Sequence, residues 1–287
     1  MKKCNYCSEE IQEDAIKCKH CGEIIDAQAQ LELGLKCLKK YDLTEAADWF
    51  QKSADQGFAE AQCHLGCLYD LGQGVSRNLA QAEKWYRKAA EQGSASGQFC
   101  LGRMYDIGDF LPQDFAKAIE WYSKAAKQES PEAQFNLGIM YRDGKGVPQD
   151  NSKYIELCHK AAAQGLPEAQ NTLGVIYRDG ERTAKDPSKA VSFFLKAAQQ
   201  DYAEAQRNLF VMYRDGDGIP QDHFEAMKWF EIYREKTAGE EPSREELLFL
   251  QRLQLQKEFF EQKSQTGCSI AAFALFLSTI FVIVAVT

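Results

Sequence analysis

Apolar and polar positions along this chain follow a helical spacing that starts, breaks and restarts at regular intervals. From Pro131 to Tyr141, the residues Ala133, Leu137, Gly138 and Tyr141 fall at the i, i+4, i+5, i+8 spacing of one helix face. A short Asp- and Gly-rich stretch follows, and a second helical segment opens at Asp150. Equivalent openings stand at Asp114, Asp186 and Asp222, with Asn78 in the same place. Asp and Asn side chains accept hydrogen bonds from the free N–H groups of a first turn, so these positions are expected N-caps. Pro187, directly after Asp186, suits the first helical position. The aromatic pairs Trp85-Tyr86, Trp121-Tyr122, Phe193-Phe194 and Trp229-Phe230 give the second helix an apolar face. Small residues such as Ala61, Gly66, Ala82 and Ala90 are expected to let the two helices approach closely, with the aromatic of one filling the gap left by the other.

The pattern repeats. Leu65-Gly66, Leu101-Gly102, Leu137-Gly138 and Leu173-Gly174 follow one another at 36 residues, and Leu209-Phe210 continues the register. Tyr69, Tyr105, Tyr141, Tyr177 and Tyr213 keep the same step, as do Gly72, Gly108, Gly144, Gly180 and Gly216. One hairpin cannot bury such a face alone, whereas stacked hairpins can, so an all-α solenoid is expected. The residues Ala133, Gln134, Leu137, Gly138, Tyr141, Gly144, Gly146, Val147, Pro148 and Asp150 resemble the Sel1-like repeat, a longer-looped relative of the tetratricopeptide repeat. Five copies cover roughly residues 58–236, and a shorter one precedes them, its Leu33-Gly34 lying 32 residues before Leu65-Gly66. Phe110 and Arg182 replace the second loop glycine in two copies, and Leu157-Cys158 replaces the aromatic pair in one, so these copies are expected to be locally looser.

One loop, Tyr213 to Asp222, has the acidic density of a calcium site. An EF-hand starting at Asp215 would need a bidentate Glu where Ala226 stands. Asp215, Gly216 and Gly218 recur as Asp143, Gly144 and Gly146, which marks the stretch as a corner between helices.

The resemblance to tetratricopeptide repeats implies a concave face lined by the first helix of each hairpin. Carried over, it assigns Cys63, Cys67 and Asp70, then Phe99, Arg103 and Asp106, then Phe135, Ile139 and Arg142. Asn171, Val175 and Arg178 continue the face, followed by Arg207, Val211 and Arg214. The candidate partner-binding residues are Phe99, Arg103, Phe135, Arg142, Asn171, Arg178, Arg207 and Arg214. Arg142, Arg178 and Arg214 would form a ladder suited to the carboxylates of a partner peptide. The alternative is that each pairs with an acidic neighbour, Glu168 or Glu204.

Composition narrows the class. The 287 residues are 45% hydrophobic and 26% charged, an ordinary globular balance, and the net charge of -8 disfavours nucleic acid as a partner. Ten cysteines without an apolar leader at the N-terminus point to reduced thiols or metal ligands rather than disulfides. Four of them, Cys4, Cys7, Cys18 and Cys21, form two CxxC pairs, which supply the four soft thiolates of a closed tetrahedral zinc site. This segment resembles compact zinc ribbons at the N-termini of bacterial membrane and regulatory proteins, and one structural Zn(II) is the expected cofactor. Cys63, His64 and Cys67 can be read as a second metal site, Cys63 and Cys67 being one helical turn apart, but they read better as apolar filler, because the same slots hold Phe99, Phe135 and Asn171 or Arg103, Ile139 and Val175 in other copies. Cys37, Cys100 and Cys158 read the same way. Catalytic motifs are missing from the sequence, His159 and His223 are isolated, and an enzyme or a small-molecule substrate is not expected.

From Cys268 to Val286 the chain carries no charge for 19 positions, close to the ~20 residues a membrane-spanning helix needs. It resembles a tail anchor, with Lys257 and Lys263 on the cytoplasmic side. The expected organisation is a zinc ribbon over 1–26, a solenoid over 27–237, a linker and capping helix over 238–265, and a membrane helix over 266–287. Ser243 and Glu246 form the capping box of that helix. The functional expectation is a scaffold for protein partners, tethered to a membrane, with the bacterial inner membrane favoured and the bulk cytoplasmic. The alternative is a zinc- or redox-responsive regulator whose ribbon contacts a partner or nucleic acid.

Overall fold

The computed structural model describes residues 26–237 without a break, and with them residues 2–3, 7–12, 16–19, 21–22, 24, 247–248 and 251. Cys4, His20, Ser243, Glu246 and the apolar run 268–286 lie outside the described residues. The chain divides into two compact units, residues 1–209 and 210–287.

In the first unit, strands β1 (Lys2–Lys3) and β2 (Glu10–Ile11) pair antiparallel, and an isolated bridge joins Lys17 to Ile24. Helices follow without interruption by other elements: α1 (Ala27–Lys39), α2 (Leu43–Asp55), α3 (Ala59–Leu71), α4 (Leu79–Glu91) and α5 (Ala95–Ile107). They continue as α6 (Phe115–Lys127), α7 (Pro131–Asp143), α8 (Asn151–Ala163), α9 (Pro167–Asp179) and α10 (Pro187–Ala198). Each odd helix packs on the even one after it, and each even helix on the next odd one, which is the nearest-neighbour stacking of a solenoid. Helix α11 (Ala203–Asp215) carries the unit boundary, and α12 (His223–Lys236) belongs to the second unit. Residues 247, 248 and 251 are also helical. Among the described residues no helix is long and apolar enough to cross a membrane.

Helix starts follow the expected caps. Asp114, Asp150 and Asp186 accept hydrogen bonds from the N–H groups of Lys117, Lys153 and Lys189, each at 3.0 Å, and Asn78 accepts from Gln81 at 3.1 Å. The backbone N–H of each cap residue donates to the carbonyl of the periodic tyrosine: Asp114 to Tyr105 at 2.9 Å, Asp150 to Tyr141 at 2.9 Å, Asp186 to Tyr177 at 2.8 Å. The long loop is therefore closed at its base. In the second unit Tyr213 and Asp222 repeat this bond at 2.9 Å, Asp222 accepts from Glu225 N–H, and Gly216 ends α11 with φ 72°. The acidic stretch is a corner, as its repetition implies. The two copies lacking the second loop glycine keep first helices of the same length, with Phe110 exposed and Arg182 donating to Asn151 at 3.3 Å.

Inside each hairpin the close approach has a defined geometry. Tyr86, Tyr122 and Phe194 are fully buried, each lying flat on the helical glycine of its partner helix. A Cβ at Gly66 would lie 2.7 Å from the Tyr86 ring, and one at Gly174 only 2.4 Å from Phe194. In the α7–α8 hairpin Cys158 stands in place of the aromatic, and the nearest atom to a Cβ at Gly138 is Leu157 Cβ at 3.3 Å. The substitution leaves the hairpin intact but less tightly filled.

Between hairpins a buried glutamine does the joining. Gln62, Gln98, Gln134 and Gln170 are almost fully buried on the first helix of successive hairpins. Each donates its side-chain amide to a carbonyl at the end of the preceding helix: Ala54, Ala90, Ala126 and Ala162, at 3.1 to 3.4 Å. Each side-chain carbonyl accepts in turn from the glutamine that ends its own hairpin: Gln92, Gln128, Gln164 and Gln200, at 2.8 to 2.9 Å. The last-turn carbonyls that a helix leaves unpaired are thus satisfied across the repeat junction.

Candidate functional site

Three groupings of side chains have chemistry beyond packing. The first is the face of α5, α7 and α9 that tetratricopeptide analogy assigns to partner binding. Along it Phe99, Arg103, Phe135, Arg142, Asn171 and Arg178 are all half-buried, neither sealed in the core nor fully in solvent, and Arg207 is exposed. Phe99 leans on Tyr122 at 5.8 Å between centroids, and Phe135 packs on the core around Tyr154 and Leu173, so these rings present an edge. Asn171 accepts from the Asn208 amide at 2.9 Å, and Arg178 donates to Asn208 Oδ1 at 3.0 Å. This is a polar seam between neighbouring first helices. A cleft of about 340 Å³ opens along it, lined by Arg142, Tyr154, Asn171, Val175, Asp179 and Arg182 among others.

The arginines are paired, but not as expected. Arg142 forms a fork with Asp143 at 2.7 and 3.3 Å, and Arg178 with Asp179 at 2.7 and 3.2 Å. Glu168 and Glu204 are not the partners of Arg142 and Arg178; the last-turn arginine folds over the helix end onto the next residue. These pairs are partly exposed, and such pairs contribute only about 0–1 kcal/mol. Arg103 differs. It bridges two hairpins through a 2.6 Å contact to Asp70. In the second unit Arg214 makes the same fork with Asp215, at 2.6 and 2.9 Å.

The second grouping is N-terminal. Cys7, Cys18 and Cys21 bring their sulfurs within 4.8 Å of one another, with Cys7 and Cys18 at 3.7 Å. Tetrahedral zinc with Zn–S bonds of about 2.3 Å separates its sulfurs by about 3.8 Å, so the described thiols fit that ion. Ser8 and Gly22, the residues after the second cysteine of each pair, both have positive φ, 61° and 75°, and Gly22 N–H donates to Cys18 O at 2.9 Å. Cys4, the fourth expected ligand, lies outside the described residues.

The third grouping adds a cysteine that the sequence reading left apart. Cys63 and Cys67 of α3 are joined by Cys100 of α5, all three sulfurs lying within 4.8 Å of one another. Cys63 and Cys100 are buried and Cys67 is half-buried. Hydrogen bonds from Cys100 and Cys63 hold the Cys67 thiol well below the ordinary thiol range, with the Tyr86 hydroxyl 3.4 Å away as a further donor. Against the lowering contact with Cys63, the Cys67 sulfur and then burial push the Cys100 thiol up. Comparing equivalent columns across repeats hides this group, because Cys100 occupies a different column from Cys63 and Cys67.

Tandem antiparallel helix pairs, each joined to the next through its first helix, define an α-solenoid of the tetratricopeptide kind. The Sel1 repeat model matches six consecutive segments, residues 27–58, 59–94, 95–130, 131–166, 167–202 and 203–232, and the chain belongs to the Sel1 repeat family. The match is to a structural repeat rather than to a catalytic family. Among solved structures, the chain is similar to a protective antigen of uropathogenic Escherichia coli with an SLR fold, at 35% identity and a TM-score of 0.63. That likeness covers 74% of this chain but 46% of the other, so this chain spans about half the length of the E. coli protein. A Sel1 repeat protein from Oxalobacter formigenes is 31% identical with a TM-score of 0.63, over 72% of this chain and 82% of that one. An immunity protein from Pseudomonas aeruginosa shares the fold at 21% identity and a TM-score of 0.54, over 76% and 84%. A search of curated proteins gave no match.

Proposed function

We propose that this chain is a membrane-tethered adaptor that gathers protein partners on the first-helix face of its solenoid. The observation that carries the reading is the open cleft beside Arg142 and Asn171, whose arginine lies over the Tyr154 ring and pairs with a neighbouring, partly exposed aspartate. A partner segment bearing carboxylates can take the Arg142 and Arg178 forks bidentately, while Val175 and the Tyr154 edge offer apolar contact. The repeat fold supports a binding role because its surface is extended and its helices are covered on their other sides.

Cys4, Cys7, Cys18 and Cys21 would hold one structural Zn(II), which when bound would supply a rigid cross-link and no open coordination position for chemistry. Residues 268–286 would supply the tether. Both parts can be tested separately from the groove. Zinc content should be one ion per chain and fall when Cys18 is changed to Ser; the full chain should partition with membranes and a version ending at Gln265 should not. Changing Arg142 and Arg178 to Glu should remove the partners retained by the wild-type chain, and unchanged binding would exclude the arginine face. A peroxide treatment that ejects zinc and alters partner binding would instead favour the regulatory alternative.

A further inference from the structure

The Cys63, Cys67 and Cys100 group lies in the first unit, away from the N-terminal cysteines in sequence and formed entirely by the solenoid. Its three sulfurs come from two neighbouring repeats, α3 and α5, and all lie within 4.8 Å of one another. Three thiolates around one ion with metal–sulfur bonds of about 2.3 Å stand about 4 Å apart. The observed arrangement is already within 4.8 Å for every pair, so each sulfur needs to move by well under an ångström. Cysteines placed only to fill space would have no reason to converge across a repeat junction.

The identity of the ion follows from the donors. The set is all sulfur, which selects soft, thiophilic metals. Among the described residues no fourth His, Cys, Asp or Glu joins the cluster. The nearest carboxylate, Asp70, is held by Arg103 at 2.6 Å and lies 3.4 Å from the Tyr86 hydroxyl. A structural Zn(II) site needs four protein ligands, whereas a d¹⁰ monovalent ion is satisfied by three. Access exists on one side, because Cys67 is half-buried. We infer that Cys63, Cys67 and Cys100 form a three-coordinate thiolate site for a single Cu(I) ion, or another soft monovalent ion, which ties the second repeat to the third. On binding, the thiol protons leave to solvent as the metal–sulfur bonds form.

The test uses the full chain, reduced and anaerobic, with the N-terminal cysteines first loaded with zinc. Cu(I), supplied as its acetonitrile complex, is titrated against a chromophoric Cu(I) chelator for wild type, Cys67→Ser, Cys100→Ser and, as a control for a buried cysteine outside the cluster, Cys158→Ser. The expected result is one more tightly held copper in wild type and Cys158→Ser than in Cys67→Ser or Cys100→Ser. X-ray absorption of that copper should show three sulfur neighbours, and thermal melting should rise with Cu(I) only where the cluster is complete. Helical circular dichroism checks each variant, and Cys67→Ser, at the half-buried position, decides the matter if Cys100→Ser misfolds. Equal copper stoichiometry in folded wild type and Cys67→Ser would overturn the assignment. Retention of Zn(II) in preference to Cu(I) at the cluster would overturn it equally.

Discussion

Replacing Gly174 by Ala probes the hairpin geometry at its tightest point. The new Cβ would lie 2.4 Å from Phe194 Cε1, 2.5 Å from Cδ1 and 2.9 Å from Cζ. Phe194 is fully buried and cannot swing into solvent, so the helices must separate or the ring must leave its rotamer. Overpacking of this kind costs about 1–3 kcal/mol. Alanine returns about 1 kcal/mol through its higher helix propensity, which leaves a net loss of about 0–2 kcal/mol. Gly138→Ala is the matched control. There the closest atoms are Leu157 Cβ at 3.3 Å and Tyr154 O at 3.4 Å, a contact relieved by a few tenths of an ångström, so the propensity gain should survive. A gap of about 2 kcal/mol between the two corresponds to about 4–8 °C in melting temperature for a domain of this size. Melting followed by helical circular dichroism reads the difference, with urea unfolding as the check on repeat-by-repeat behaviour. Equal melting temperatures, or Gly138→Ala as the less stable variant, would refute the ring-on-glycine account.

Gln170→Leu should cost about 1–3 kcal/mol in urea unfolding, because the buried Ala162 carbonyl loses its 3.1 Å donor while the exposed Gln200 amide turns to water. Glu129, at φ 63°, occupies the turn position that Gly93 and Gly165 fill with open space around them. Glu129→Gly should therefore stabilise by about 0.5–1 kcal/mol, and Gly165→Glu should lose a similar amount. Burial, with Lys189 adding to it, holds the His159 pKa below its usual value, so the folded chain binds this proton less readily than the unfolded one. Its stabilising contribution is complete above about pH 6.5 and lost as the pH falls through the lower folded value. Wild type should lose stability between pH 7 and pH 5 relative to His159→Phe, and parallel pH profiles would contradict the shift.

Local chemistry was the most legible part of the fold. Caps, turn glycines and the aromatic-on-glycine contact each involve residue types with one strong physical use, and a 36-residue period repeats each of them. What the sequence concealed lies between repeats. The motif contains Gln134, yet nothing in it says that its amide reaches back 8 residues to Ala126 and its carbonyl receives Gln164 from 30 ahead. The pairing of Arg142 and Arg178 was hidden because it depends on side-chain rotamers at a helix end, where each arginine reaches the adjacent aspartate. Cys100 joins Cys63 and Cys67 because stacking sets neighbouring first helices side by side with an offset that register alone does not reveal.

The partner-binding face is tested most directly by comparing three full-length proteins: wild type, a variant with Arg142 and Arg178 changed to Glu, and one with the exposed Lys160 of α8 changed to Glu. Each is cross-linked in membranes and its attached proteins quantified by mass spectrometry, with circular dichroism confirming that all three fold alike. A partner set shared by wild type and Lys160→Glu but absent from the double arginine variant is the expected result. The same set retained by all three would contradict a function exercised through the arginine face.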